Sequence, residues 1–194
     1  RIVQKEEYLT LSIPVKKKGL RQQFLNKVEF FDEKFKDIHL KSIKHSYSKT
    51  KFFKDYFSEL EKIYFNKNNS KYLVNLNISI INWICEVLKI KNKFILSSDI
   101  NVPGNKSQKI INICKKLNEK TYITNHGALE YISNDKDLFL ENGINVLIQE
   151  YEQHDYIKKN RMFLNQASII DLIFNHGPNS IDIIRKSRKK ERIL

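Results

Sequence analysis

The sequence contains little cysteine and no long apolar run, and these two absences narrow the kind of protein it can encode. Only Cys85 and Cys114 occur among its 194 residues. Two scattered thiols exclude a disulfide framework and the paired spacing of a zinc site, so we expect both to be buried as small apolar side chains in a reducing cytoplasm. No segment approaches the ~20 apolar residues of a transmembrane helix, and no signal-peptide pattern is present. We therefore predict a cytoplasmic protein without a membrane span.

Familiar catalytic and nucleotide-binding motifs are also missing. The chain has no GxSxG elbow, no GxGxxG fingerprint and no HExxH pair. No two of its five histidines have the spacing of a metal motif. We predict no metal, and no cofactor is evident from the sequence.

Arginine is scarce, although the chain is strongly basic. The net charge is +13, and only 6 of the 35 basic residues are arginine. Residues 185–192 alone contribute +5, from six basic residues and one glutamate. A protein that grips nucleic-acid phosphates bidentately would use more arginine, so we do not expect nucleic acid as a partner. An anionic small molecule, such as a nucleotide, remains compatible with the charge.

The spacing of apolar residues predicts a single α/β domain over residues 1–187, with a mainly parallel sheet and crossover helices. Strands are predicted at 7–15, 26–31, 94–96, 121–124 and 144–148, and amphipathic helices at 33–48, 51–64, 70–89 and 106–117. The first three helices form a helical insertion at about 33–89, and a helix pair follows Ser168. Residues 188–194 are expected to form a frayed basic tail.

Polar residues follow two of the predicted parallel strands. Ser98 and Asp99 come after strand 94–96, and His126 and Gly127 come after strand 121–124. Ligands of such folds bind at the carboxyl ends of the strands. If the two strands are neighbours, these residues lie side by side at one edge of the sheet.

Two basic segments could hold an anion. Lys106 and Ser107 open the helix 106–117, where unpaired N–H groups favour a phosphate; the competing interpretation is an ordinary capped loop. The lysine triplet 16–18 is either a solvated turn or a lip that meets an anionic substrate.

Histidine and asparagine residues at element ends supply further candidates. A histidine in a cleft could act as a general base near neutral pH, in competition with a purely structural role. Gly177 and Pro178 are explained as a helix end, but Asn175 on the preceding apolar helix is not. A buried asparagine needs hydrogen-bond partners, so we predict that Asn175 lines the same cleft as Ser98. Asn175→Ala should then abolish ligand binding while lowering the melting temperature by only a few degrees.

The sequence resembles the WbqC-like family of bacterial proteins, whose genes tend to occur in clusters for O-antigen and other surface glycans. The resemblance rests on the segments LTLSIPVKKKG, HLKSIKHSYSKTKFF, LEKIY, LNISIINWICEVLKIKNKFILSSDI, GNKSQKIINICKKLNEKTYI and SIIDLIFNHGPNSIDIIR.

Family members usually begin with a segment that contains a His-Gln-Pro-like motif and an acidic pair, and the printed sequence starts after it. The resemblance implies that a first strand and helix, and some catalytic groups, belong to that segment. Within 125–127 only Gly127 matches the family pattern well, and His126 is peculiar to this sequence. The polar positions that the resemblance carries over are Ser98, Lys106, Ser107, Tyr122, Asp171, Asn175 and Gly177.

The resemblance implies transfer of an aminoacyl or acyl group to the amine of a nucleotide-linked amino sugar, with an acyl carrier protein supplying a thioester donor. In that reaction Ser98 and Asn175 would be oxyanion donors, and His126 or Asp99 would be the base. Lys106 would face the diphosphate. The alternative is a non-catalytic module that binds a nucleotide sugar or an acyl carrier for a partner enzyme.

Overall fold

The computed structural model describes residues 1–20, 22–157 and 164–194. The chain divides into two compact units, Arg1–Lys91 with His154–Ile183 (unit 1) and Asn92–Gln153 with Ile184–Leu194 (unit 2).

In chain order the regular elements are β1 (Ile2–Gln4), β2 (Glu7–Leu9), α1 (Lys34–Tyr47), α2 (Phe53–Phe65), α3 (Leu73–Val87), α4 (Ser97–Ile100), α5 (Lys106–Lys116), β3 (Thr121–Thr124), α6 (Leu129–Asn134), α7 (Lys136–Glu141), β4 (Asn145–Ile148), α8 (Ile169–His176), α9 (Ser180–Lys186) and β5 (Arg192–Ile193). Short 3₁₀ turns lie at Leu25–Lys27, Lys67–Asn69, His126–Ala128 and Gly177–Asn179. The single domain over 1–187 stays a prediction.

Helices dominate unit 1. The amphipathic pattern predicted its three long helices, and α1, α2 and α3 begin and end within a few residues of the predicted bounds. They are the centre of the unit rather than an addition to it, because the main apolar cluster consists largely of their side chains. Tyr47 of α1 and Phe174 of α8 are fully buried there, with ring centroids 5.4 Å apart.

The strands of unit 1 are shorter than predicted. Of residues 7–15 only β2 is regular, and it pairs antiparallel with β1, Val3 opposite Tyr8. Residues 26–31 form no continuous strand; Val15 and Phe30 meet in an isolated antiparallel bridge. The Tyr47 hydroxyl accepts a hydrogen bond from the Val3 N–H at 2.9 Å and so joins α1 to β1.

Unit 2 contains a three-stranded sheet in the order β3-β4-β5. β3 and β4 are parallel, as predicted, with Thr121 opposite Asn145 and Thr124 opposite Ile148. β5 is antiparallel to β4. The molecule thus combines helices with small sheets, and the predicted mainly parallel sheet is not confirmed.

The predicted buried strand 94–96 is wrong. Phe94, Ile95 and Leu96 lie outside any regular element and are 43–56% exposed. The Leu96 carbonyl accepts hydrogen bonds from the N–H groups of Asp99 and Ile100, so it begins α4 instead of joining a sheet ladder. These three apolar residues have enough β propensity for a strand, but no strand in the described part of the chain pairs with them.

The expectation of a frayed tail over 188–194 is also wrong. Arg192 pairs with Ile148, and Ile193 pairs with Leu147. Leu194 packs against the apolar cluster of unit 2, and its N–H donates to the Val146 carbonyl at 3.1 Å. The tail is ordered because it completes the open side of β4.

Within the residues described, no helix is long and apolar enough to cross a membrane.

Candidate functional site

A histidine and a glutamate meet at the carboxyl ends of the two parallel strands of unit 2. Thr124 and Ile148 are opposite one another where β3 and β4 end. His126 and Glu150 each lie two residues further along, so the parallel register carries both to the same edge of the sheet. His126 Nε2 lies 2.6 Å from Glu150 Oε2.

Arg192 completes this group from the antiparallel strand β5. Its Nε lies 3.5 Å from Glu150 Oε1, so each carboxylate oxygen has a cationic or N–H partner. The side chains of His126 and Glu150 are 56% and 29% exposed, which leaves the imidazole open to a small molecule. We call His126, Glu150 and Arg192 the His–Glu–Arg group.

The hydrogen bond fixes the tautomer of neutral His126. A carboxylate only accepts hydrogen bonds, so Nε2 carries the proton and Nδ1 holds the free lone pair. No hydrogen bond to Nδ1 is present among residues 1–20, 22–157 and 164–194. The imidazole can therefore accept a proton at Nδ1 while Glu150 stabilises the imidazolium that forms.

Two residues that flank this edge were also predicted to contact substrate. Gly127 is exposed, and a Cβ there would lie 3.2 Å from Asn125 Oδ1. Tyr122 on β3 is half-buried, and its ring is parallel to that of Phe139 with centroids 6.0 Å apart. The position of Tyr122 favours packing in the core of unit 2.

Lys106 and Ser107 open α5 as predicted but differ in accessibility. Lys106 is exposed and has a φ of +46°, rare for a residue other than glycine. Ser107 is 1% exposed, and its hydroxyl donates to Asp135 Oδ2 at 2.5 Å. That bond joins α5 to the residue before α7, so it supports the fold of unit 2.

Ser98 and Asp99 lie on the short helix α4. Both are exposed, and the Ser98 hydroxyl donates to Asp99 Oδ1 at 3.3 Å. They do not follow a parallel strand, because residues 94–96 form none. The reasoning that placed them beside His126 at one sheet edge therefore fails, and their roles stay predictions.

The end of α8 in unit 1 gathers a second set of polar groups. Asp171 is fully buried and accepts a hydrogen bond from the Tyr156 hydroxyl at 2.8 Å. His176 Nε2 lies 2.6 Å from the Tyr156 carbonyl, so this histidine also carries its proton on Nε2 when neutral. Gly177 ends the helix with a φ of +54°, as expected of a C-cap.

Asn175 has a local partner. Its side chain is half-buried and donates from Nδ2 to the Asp171 carbonyl one turn earlier, at 2.7 Å. This bond explains the asparagine without a ligand. Asn175 belongs to unit 1 and Ser98 to unit 2, and their shared cleft stays a prediction.

Sequence reasoning missed Glu150, Arg192 and Tyr156. Glu150 had a usable signal, since it follows strand 144–148 by the same two residues that separate His126 from its own strand. Arg192 had none, because its segment was expected to be frayed. In the part of the chain that the structure describes, no cluster of three histidine, cysteine or acidic side chains could hold a metal ion.

Comparison with known proteins identifies the family. The model of the WbqC-like protein family matches residues 1–183, so the chain belongs to that family. The chain is also 26% identical over 180 residues to the uncharacterized protein Rv1507c of Mycobacterium tuberculosis, in a match that covers 92% of this chain and 77% of the relative. No solved structure matches.

Proposed function

We propose that this protein is a cytoplasmic transferase of bacterial surface-glycan biosynthesis, which moves an aminoacyl or acyl group to the amine of a nucleotide-linked amino sugar. Membership of the WbqC-like family supports the reaction class. The observation that carries the proposal is the 2.6 Å contact between His126 and Glu150 at the carboxyl ends of β3 and β4.

The chemistry needs a base beside the attacking amine. In the proposed step the amine nitrogen forms a bond to the thioester carbonyl carbon, and His126 Nδ1 takes the proton that the nitrogen loses. The tetrahedral intermediate then collapses, the carbon–sulfur bond breaks, and the thiol leaves with the proton returned by the imidazolium. General base catalysis of this kind contributes about 10²–10⁴-fold to a rate.

The other proposed roles follow residue type and position. Ser98 is proposed as a donor to the oxyanion, and Lys106 as the cation that faces the diphosphate. Both side chains are exposed, which is compatible with contact to a ligand. The acceptor is a nucleotide-linked amino sugar, and the donor is a thioester on an acyl carrier protein.

The test is a transfer assay that follows the N-acylated sugar by mass spectrometry. Full-length protein is incubated with a nucleotide amino sugar and a series of acylated carriers. His126→Gln should lower the rate by about 100-fold or more, and His45→Gln, at an exposed position on α1, should leave it unchanged. Equal rates for wild type and His126→Gln would rule out the base.

The non-catalytic alternative predicts a different outcome of the same experiment. Tight binding of the nucleotide sugar by calorimetry, with no product from any donor, would replace the transferase by a binding module.

A further inference from the structure

The loop between the first strands and α1 borders an open pocket on the surface of unit 1. It has a volume of about 900 Å³ and is bounded by residues 15–20, 22, 23 and 28. Sites for nucleotide-sized molecules typically have volumes of about 300–1,000 Å³. We call this space the lysine-turn pocket.

The described lining of the lysine-turn pocket is cationic. It includes Lys16, Lys17 and Lys18, and it contains no carboxylate. Glu29 beside it accepts from Lys16 Nζ at 2.7 Å and pairs with Lys71 Nζ at 3.2 Å. The hydrogen bond from Lys16 lowers the pKa of Glu29. The carboxylate therefore stays ionised and paired with these two lysines.

Lys17 and Lys18 differ from Lys16 in this respect. Among residues 1–20, 22–157 and 164–194, neither forms an ion pair, and both are exposed. Two lysines without a carboxylate partner at the wall of one pocket favour a ligand with two or more negative charges.

Backbone hydrogen bonds order the main chain of the turn that carries the lysines. The Leu20 N–H donates to the Lys17 carbonyl at 3.1 Å, and Gly19 has a φ of +72°. A positive φ at only the third residue defines a type II turn with Lys18 second. The Lys16 N–H donates to the Glu29 carbonyl at 3.0 Å and attaches the turn to the segment beside it. A preordered loop loses less entropy on binding.

The rest of the lining indicates what carries the charge. Leu20 and the two valines supply an apolar surface, and the side-chain amides of Gln22 and Gln23 can donate and accept hydrogen bonds. Inorganic phosphate would use only the lysines. A phosphorylated molecule with a planar or apolar body that carries hydrogen-bonding groups would use all three features.

We propose that the lysine-turn pocket binds a nucleoside diphosphate, with Lys17 and Lys18 on the phosphates and the glutamine amides and Leu20 on the nucleoside. This inference stands apart from the proposed transfer reaction, because it concerns equilibrium binding to unit 1 and the base of that reaction lies in unit 2.

Calorimetry on the whole chain tests the site, with uridine diphosphate and pyrophosphate as separate probes and no acyl donor. The variant Lys17→Gln/Lys18→Gln should bind uridine diphosphate about tenfold more weakly or worse. The matched control is Lys91→Gln/Lys93→Gln, which removes the same charge from two exposed lysines and should bind within about twofold of wild type.

The other outcomes would overturn the proposal. Equal loss in both double variants would show that only net charge attracts the anion. Equal affinity for pyrophosphate and uridine diphosphate would show that the nucleoside makes no contribution to binding. If neither probe binds to the wild-type protein, the pocket is not a binding site. If the protein binds uridine diphosphate at this pocket but gives no product in the transfer assay, the proposed reaction is rejected and the proposed binding site is retained.

Discussion

Gly177 lies against the ring of Phe52, so closely that an added Cβ would be 2.5 Å from Phe52 Cδ1. The Phe52 N–H also donates to the Phe174 carbonyl at 3.0 Å, which holds the ring beside the end of α8. Two features of this position require glycine: the φ of +54°, and the Phe52 ring, which occupies the space that a Cβ would need.

Gly177→Ala should therefore destabilise the protein by about 2–5 kcal/mol, the sum of a left-handed backbone and an overpacked contact. Gly143→Ala is the matched control, since Gly143 has a φ of +68° but nothing within 4 Å of a Cβ. It should lose only about 1–2 kcal/mol. Urea denaturation measures the free energy of unfolding of both variants. Equal losses would show that the Phe52 ring moves aside at no energetic cost.

His39 should make stability depend on pH. The imidazole is buried, Nε2 lies 3.0 Å from the Ser12 carbonyl, and Nδ1 lies 3.3 Å from the Tyr64 hydroxyl. Burial lowers the pKa of His39 below its ordinary value of 6.5, and burial raises the pKa of Tyr64 to about 12, so the hydroxyl keeps its proton for Nδ1.

The unfolded chain then binds a proton at His39 more readily than the folded chain does. The contribution of neutral His39 to stability is complete above pH 6.5 and is lost as the pH falls from 6.5 toward the lower folded-state pKa. The free energy of unfolding, measured by urea at pH 7.5 and at lower pH, should fall by no more than about 1.4 kcal/mol per pH unit from this group. In the variant His39→Gln, the free energy of unfolding should depend less on pH. If its pH dependence is unchanged, other titratable groups are responsible for it.

Glu150→Gln should separate catalysis from stability. The amide keeps the size of the side chain but no longer stabilises a protonated His126, so the transfer rate should fall by roughly a factor of ten or more. Stability should change by about 1 kcal/mol or less, because the His126 side chain is exposed and the Glu150 side chain is only half-buried. Glu152→Gln is the control, since Glu152 pairs with Lys189 at 2.8 Å in the same unit and should retain the wild-type rate.

Truncation after Ser187 should loosen β4. It removes β5 and the hydrogen bond from the Leu194 N–H to the Val146 carbonyl. Hydrogen exchange of the β4 amides should become faster, because the strand becomes an edge. The control variant Lys189→Gln/Lys190→Gln keeps β5 but removes two positive charges. If it accelerates exchange of the β4 amides as much as the truncation does, the tail acts through electrostatics alone.

Short-range patterns in the sequence determined much of the local structure. The 3.6-residue period of apolar side chains predicted α1, α2 and α3, because each helix buries one face and its periodicity is local. The β propensity of 121–124 predicted β3 with its observed bounds, and Gly177 and Pro178 predicted the end of α8. Family membership was likewise readable from the sequence.

Only the tertiary structure decided which segments pair. Phe94–Leu96 and Arg192–Ile193 are both short stretches with apolar content, yet the second became a strand and the first did not, because β4 offered an edge to one of them. The register of β3 on β4 brought His126 to Glu150, and the pairing of β5 added Arg192. Hydrogen bonds between strands join residues far apart in the chain, so their partners depend on the whole fold. For that reason the sequence alone named His126 as a candidate base and placed Glu150 after a predicted strand, but only the pairing of β3 with β4 brought the two side chains together.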